Sequence, residues 1–478
     1  MRNMLGIVSY GAYVPYYRLK KETIAQAFGK RGGKGAKAVA YCDEDSVTMS
    51  VAAAMDACAG QDMTGLNGVY FASVSAPYRE KQCAAELVAV LNAGENLRTG
   101  DYAGNLRAGS AAILSACDQL AQSGGKAVVA MADCRLGAAD GKFESDLGDG
   151  AAAFLLGSED VLANLDASCS VSKNAIDEWR AADDVYLRNW DVRYANTQLY
   201  TPLVKAAVSQ LLAKADVQPA DIAKVVLYGH DDKTRNGLAA KLGFAPEQIV
   251  PSLYAEIGNT GNAAAGIMLA SALDEAQPGQ RILVVTYGDG CDAMLFTVTE
   301  KARTYKAANS VAALLAHKND TLAYGKYLKW KGMIDCEPQK RPPQERSALP
   351  DYFRNYRKNH NLVGCKCTNC GTVVFPPQRV CVHCRSIDTA VPYSFLDKKA
   401  TVRTFTIDGL SLSLDSPNYL VVIEFEGGGK MMTYLVDCKK EDIQVGMAVR
   451  PSYRKMYEAN GVQTYFWKVV PAGEEAAQ

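Results

Sequence analysis

The strongest constraint on this chain is an alternation that occurs twice. In the first 300 residues MLGIVSYGAYVP, GVYFASVS, KAVVAMAD and AAAFLLG are apolar runs of strand length, while DSVTMSVAAAMDACAG, CAAELVAVLNAG and RAGSAAILSACDQLAQSG space their apolar residues as helices do. The order then returns with KVVLYGHDD, a helix around RNGLAAKLGF, the turn IGNTGN, the helix AAAGIMLASALDEA and the strands RILVVTYGDG and AMLFTVTE. Alternation of this kind requires a layered α/β domain. Its recurrence implies two halves, residues 1–165 and 166–335, related by an internal pseudo-repeat with a site between them.

The pattern stops near residue 300, and so does the charge balance. Residues 301–360 carry 13 Lys and Arg against 5 Asp and Glu, whereas residues 1–300 carry 26 against 35 and residues 361–478 carry 13 against 12. KWKGMIDCEPQKRPPQERSALPDYF is proline-rich and aperiodic, which places a linker at 336–360. Its basic charge suits a solvated connector, or a surface receiving a polyanion such as the phosphates of coenzyme A. No apolar run approaches the roughly 20 residues of a membrane span, and the start MRNMLGIVSYGAYVP lacks the apolar core of a secretory signal. Fourteen cysteines without a paired framework suit a reducing compartment, so a cytoplasmic protein with no membrane association is expected.

Five of those cysteines crowd between 365 and 384. GCKCTNCGTVVFPPQRVCVHCRS holds Cys367 and Cys370 in one Cys-x-x-Cys hairpin and Cys381 and Cys384 in another. Two hairpins offering four thiolates fill a tetrahedral Zn²⁺ and leave no open position, so the metal is expected to hold residues 361–390 folded as a zinc ribbon. Cys365 and His383 are spare. The alternating runs that follow, TVRTFTI, YLVVIEFEGGGKMMTYLV, AVRPSYRKMY and QTYFWKVV, fit a small β-barrel at 391–478. Its near-neutral charge argues against a nucleic-acid partner.

Three segments, ESDLGDGAAAFLLG, AAKLGFAPEQIVPSLYAEIGNTGNAAAG and ALDEAQPGQRILVVTYGDGCDAMLF, make residues 1 to about 335 resemble the thiolase superfamily. The likeness is to the archaeal type of hydroxymethylglutaryl-CoA synthase and, more distantly, to ketoacyl synthase III. LVGCKCTNCGTVVFPPQRVCVHC makes the remainder resemble the DUF35 family, a zinc ribbon plus OB-fold. The resemblance implies a five-layered α-β-α-β-α fold, a coenzyme A thioester as substrate, a homodimer through the thiolase-like domain and a possible further thiolase-type partner. It puts the catalytic histidine at His230 and an asparagine that binds a thioester oxygen at Asn259. It makes the GDGA of Gly148–Ala151 a structural turn. It also puts a nucleophilic cysteine where AGNLRAGS has Leu106, and a catalytic glutamate where FASVSAPY has Val74. Cys83, Cys117 and Cys134 lie outside those positions.

Leucine cannot carry an acyl group and valine cannot exchange a proton. Making or breaking a β-hydroxyacyl-CoA needs no acyl-enzyme, because a thioester enolate forms directly and requires proton transfer and an oxyanion hole. The chain also resembles the acyl-CoA retro-aldolases of steroid side-chain breakdown. The expected activity is therefore cysteine-independent aldol or retro-aldol chemistry on a β-hydroxyacyl-CoA, with Tyr78, Tyr228, Tyr254 or Tyr287 as the proton shuttle. The alternatives are a synthase-like or thiolase-like acyltransferase, and a non-catalytic subunit or scaffold of a thiolase complex.

Overall fold

The structure, a computed structural model, describes residues 5–337, 349–411 and 413–472. It divides into two compact units, one of residues 1–41, 45–88 and 93–327 and the other of residues 42–44, 89–92 and 328–478.

In the first unit nine strands form one mixed sheet: β1 (Gly6–Tyr13), β2 (Leu66–Ala72), β3 (Arg98–Tyr102), β4 (Lys126–Asp133), β5 (Gly150–Gly157), β6 (Ala163–Ser172), β7 (Lys224–Leu227), β8 (Arg281–Tyr287) and β9 (Gly290–Val298). Their spatial order is β7-β8-β9-β6-β1-β5-β4-β2-β3. On one side β2 is parallel to β3 and β4, and β5 is antiparallel to β4 and β1. On the other side β7 is parallel to β8, and β9 is antiparallel to β8 and β6. The repeat read from the sequence is thus a repeat of topology, and the halves join where Gly6 and Ile7 pair with Asn164 and Ala163.

Four helices complete the layers: α1 (Ser46–Cys58), α2 (Ala108–Ser123), α3 (Thr201–Ala215) and α4 (Asn262–Asp274). Strand alternation puts Ser9 and Tyr10 of β1 on opposite faces. Ser9 donates to the Ala57 carbonyl of α1 at 2.5 Å, and Tyr10 donates to Asp274 of α4 at 2.6 Å. The sheet is therefore covered on both sides. α4 is buried around almost its whole circumference, as a helix between the two halves of the sheet must be, whereas α3 buries one stripe of Leu203, Val204, Ala207, Val208 and Leu211 against β6 and β9. Beside α4, the Ser110 hydroxyl of α2 reaches Thr286 of β8 and Asp292 of β9. The order α1, half-sheet, α2 with α4, half-sheet, α3 is the expected five-layered arrangement. Asp45 begins α1 as a capping box with Thr48, a cap worth about 1 kcal/mol.

The second unit contains the ribbon strands β10 (Val363–Cys367), β11 (Val373–Val374) and β12 (Ala390–Ser394), in the order β11-β10-β12. After them come β13 (Ala400–Asp408), β14 (Asn418–Phe425), β15 (Lys430–Leu435), β16 (Ala448–Ala459) and β17 (Val462–Pro471), which close into a barrel in the order β13-β14-β15-β17-β16. Val421, Ile423, Phe425, Trp467 and Val469 fill it from alternate positions of their strands. Within the expected linker, 338–348 lie outside the described residues, and Leu349–Arg354 and Tyr356–Asn361 are short helices. The second of these carries His360, buried between the Tyr352 and Tyr453 hydroxyls at 2.8 Å each.

Candidate functional site

The repeat brings the N-termini of α2 and α4 together. Asn262, the first residue of α4, accepts from the Gly109 amide of α2 through Oδ1 at 3.1 Å. Its own amide and Nδ2 donate to Asp133, at the end of β4, at 2.8 and 3.1 Å. The other oxygen of this fully buried carboxylate accepts from Ser73, the Val74 amide and Ser75 at 2.8–3.0 Å. One aspartate therefore fixes the FASVSAPY loop and, through Asn262, both helix starts.

Leu106 lies in the turn just before α2. The β8–β9 turn passes so close that a methyl group on Gly288 would sit 2.9 Å from the Leu106 amide nitrogen. Arg107 holds this approach by donating to the carbonyls of Gly288 at 2.7 Å and Asp289 at 3.2 Å while pairing with Asp292 at 2.9 Å. Tyr287, next in line, is thus set beside the helix start. On the other side, the GDGA turn is fastened to the IGNTGN loop. The Gly148 amide donates to the Asn259 carbonyl at 3.1 Å, and a Cβ on Gly148 would fall 1.7 Å from the Ile257 carbonyl oxygen, so glycine is required there.

His230 and Asn259 belong to one buried polar cluster. Asn259 Nδ2 donates to the Tyr228 hydroxyl at 3.0 Å, and its Oδ1 accepts from Arg135 at 3.1 Å and from the Gly261 amide at 3.0 Å. Arg135 also pairs with Glu178 at 3.3 Å. Glu178 Oε1 lies 3.1 Å from His230 Nδ1, a charge contact outside hydrogen-bond alignment, and His230 Nε2 bonds Asp177 Oδ2 at 2.9 Å. The same Asp177 oxygen accepts from Tyr287 at 2.9 Å. Tyr200, Tyr228 and Tyr287 ring the imidazole with centroids 5.6–6.2 Å away.

Two cations thus alternate with two carboxylates out of bulk water. Burial alone would lower the pKa of His230, but its bond to Asp177, its close contact with Glu178 and the charges of both outweigh it, raising the value to about 10. Burial likewise pushes Glu178 up, yet His230 and Arg135 bring it below its ordinary value. Burial would lower Arg135, and Tyr228, Glu178 and Asp133 more than compensate. The phenols of Tyr228, Tyr254 and Tyr287 are all driven up, first by burial. At neutral pH the cluster therefore holds an imidazolium, a guanidinium, the Glu178 carboxylate and neutral phenols.

The structure brings His230, Asn259, Tyr228 and Tyr287 together, with Tyr254 packed in the same core. Tyr78 instead lies under the Lys81 ammonium, 5.0 Å from its ring centre. Arg135, Asp177, Glu178 and Tyr200 carried no signal in the sequence that singled them out. Burial raises the thiols of Cys83 and Cys117 to about 12 and pushes Cys291 up as well, so none of the three is a thiolate at neutral pH.

In the second unit Cys367, Cys370, Cys381 and Cys384 converge with all four sulfurs within 4.8 Å of one another. The Cys367–Cys384 and Cys370–Cys381 separations are 3.7 and 3.5 Å, close to the roughly 3.8 Å edge of a tetrahedron of Zn–S bonds of about 2.3 Å. Thr372, Ser386 and Thr389 hydroxyls surround the sulfurs at 3.0–3.5 Å, and Asn369 reaches Cys384 at 3.5 Å, so the donor set fits a zinc thiolate site. Cys365 stands apart, bonded to the Gln378 backbone.

Residues 354–388 match the family model of the ChsH2 rubredoxin-like zinc ribbon domain, and 393–454 that of the ChsH2 C-terminal OB-fold domain. Residues 212–298 match the C-terminal part of 3-oxoacyl-[acyl-carrier-protein] synthase III. The hydroxymethylglutaryl-CoA synthase of Methanopyrus kandleri is 33% identical over 340 residues, 68% of this chain and 97% of that protein. Among solved structures, MvaS in complex with 3-hydroxy-3-methylglutaryl coenzyme A superposes with a TM-score of 0.61 at 21% identity, over 71% of this chain and 94% of that one. The 3-oxoacyl-(acyl carrier protein) synthase III of Pseudomonas aeruginosa does so with a TM-score of 0.56 at 18% identity, over 62% and 98%. With its two topologically repeated halves and the ribbon and barrel that follow them, the chain belongs to the hydroxymethylglutaryl-CoA synthase family within the thiolase fold, extended by zinc-ribbon and OB-fold domains of the ChsH2 type.

Proposed function

We propose that the chain makes or breaks the Cα–Cβ bond of a β-hydroxyacyl-CoA without a covalent acyl-enzyme, and that His230 and Asn259 stand at the centre of the site. The observation that carries this reading is Leu106, an aliphatic side chain at the start of α2 beside the Gly288 turn, where acyl transfer would need a nucleophile. What surrounds it is suited to proton transfer and charge stabilisation. Asn259 commits one amide hydrogen to Tyr228 and leaves the other without a partner among the described residues, available to a thioester oxygen as it becomes an enolate. The positive N-termini of α2 and α4 favour the same charge.

The zinc in this reading is structural. Cys367, Cys370, Cys381 and Cys384 hold it, and it supplies the folding energy of a short ribbon that has little core of its own. A homodimer through the thiolase-like unit, and a further thiolase-type subunit, remain part of the proposal. Among the described residues no helix is long and apolar enough to cross a membrane.

The test is incubation of the purified chain with acetyl-CoA or propionyl-CoA, followed by intact mass spectrometry, and separately with β-hydroxyacyl-CoAs, followed by product analysis. Cleavage with an unmodified protein mass is expected. A stable acyl adduct on any cysteine would refute the reading in favour of an acyl-transferring synthase, which the identity to the Methanopyrus enzyme favours.

A further inference from the structure

The two neighbouring carboxylates of the cluster are not equivalent. Glu178 spends both oxygens, Oε1 on His230 and Oε2 on Arg135. Asp177 places both of its donors on one oxygen: His230 Nε2 and Tyr287 Oη each lie 2.9 Å from Oδ2. Its Oδ1 has no partner among the described residues, and the side chain keeps 15% of its surface exposed. A carboxylate pinned through one oxygen, with the other oxygen open, is oriented to take a proton from something that enters the site. Tyr287, which pins Oδ2, directly precedes Gly288, whose backbone lies against that of Leu106, so Asp177 is tied to the strand end beside the position where the resemblance puts the nucleophile.

We infer that Asp177 is the proton-transfer residue of this site, in place of a glutamate at Val74, with His230 and Tyr287 positioning it. The inference rests on the aldol reading above. In the cleavage direction Oδ1 takes the proton of the β-hydroxyl group. The Cα–Cβ bond breaks, its electron pair passes into the thioester enolate, and the β-carbon becomes the carbonyl carbon of the released aldehyde or ketone. Asp177, now neutral, returns the same proton to Cα, giving the shortened acyl-CoA and regenerating the carboxylate. No oxidant, reductant or cofactor enters the balance, and condensation is the same path reversed. His230 stays an imidazolium throughout. Its role, with Tyr287, is to hold Oδ2 and leave Oδ1 as the proton carrier.

The experiment uses the full chain with two probes. One is 3-hydroxy-3-methylglutaryl-CoA, scored for cleavage. The other is acetyl-CoA in D₂O, scored by mass spectrometry for deuterium at Cα, which reports the enolate half-reaction alone. Asp177→Asn is expected to lower both rates roughly a hundred- to ten-thousandfold, with KM within a fewfold of wild type. Asp183→Asn, a 98% exposed carboxylate six residues further along the chain, should change neither. Tyr287→Phe leaves every charge in place and removes one donor from Oδ2, so it should lower both rates roughly tenfold even if Asp177→Asn unfolds. Wild-type exchange or cleavage in either Asp177→Asn or Tyr287→Phe overturns the assignment while leaving the aldol reading intact. A wild-type chain that neither cleaves nor exchanges removes the aldol reading and this inference with it.

Discussion

His230 should remain an imidazolium far above the pH at which a free histidine loses its proton. The groups facing it are Asp177 at 2.9 Å and Glu178 at 3.1 Å, with the neutral phenols of Tyr200, Tyr228 and Tyr287 around the ring and Arg135 beyond Glu178. Together the two carboxylates raise its pKa from 6.5 to about 10 against the effect of burial. At about 1.4 kcal/mol per tenfold change in proton affinity, the raised value corresponds to stability on the order of 5 kcal/mol. That matches the roughly 3–5 kcal/mol lost when one member of a buried ion pair is deleted. The sign follows from the direction of the shift. The contribution is complete below about pH 6.5, declines as pH rises above that value, and is gone once pH passes about 10. Denaturant unfolding of wild type and His230→Ala should therefore show their largest stability gap near pH 6 and a narrowing gap toward pH 10. Because the chain has four histidines, ¹⁵N spectra of the imidazoles with the variant as assignment standard can follow this residue directly. A His230 ring that is neutral at pH 8, or a gap that stays constant from pH 6 to 10, would refute the bridged arrangement.

Three other outcomes are expected. The full chain should bind one equivalent of zinc by elemental analysis, lose it in Cys370→Ser and keep it in Cys365→Ser, because Cys365 lies outside the cluster. Gly148→Ala should destabilise the first unit by at least about 3 kcal/mol in chemical denaturation, since the added methyl meets the Ile257 carbonyl oxygen at 1.7 Å and both partners are backbone; a stability near wild type would contradict the turn geometry. Asn259→Ala should lower turnover roughly a hundred- to a thousandfold with CoA dissociation constants close to wild type, because an oxyanion donor strengthens only as charge develops; unchanged turnover would put the site elsewhere.

The elements that were legible are those whose burial is written in local pattern. β1, β2, β4, β5, β8 and β9 are apolar runs, buried on both faces, and the sequence locates each of them. β6, ANLDASCSVS, is small, polar and largely half-exposed, so no periodic signal marks it although it completes the second half-sheet. α3 is different: Leu203, Val204, Ala207, Val208 and Leu211 are spaced as one helical stripe after a proline near its first position, and that signal was there to be read.

The site divides along the same line. His230 and Asn259 follow short, recognisable segments, a strand end and a glycine-rich turn, so resemblance can carry them over singly. Asp177, Glu178 and Arg135 come from a charged loop and a strand end with no pattern that separates them from surface residues, and they meet His230 only when the second half folds against the first. Their charges sum to zero with His230 included, so the cluster can be buried as a unit although each member alone would be expelled or neutralised. That balance is a property of four residues from three separate stretches of chain. It also explains why a histidine expected as a donor is found with a carboxylate at each ring nitrogen: with Leu106 where the resemblance puts a thiol, the imidazolium's partners are the acids, and in the proposed mechanism proton transfer passes through the one carboxylate oxygen they leave open.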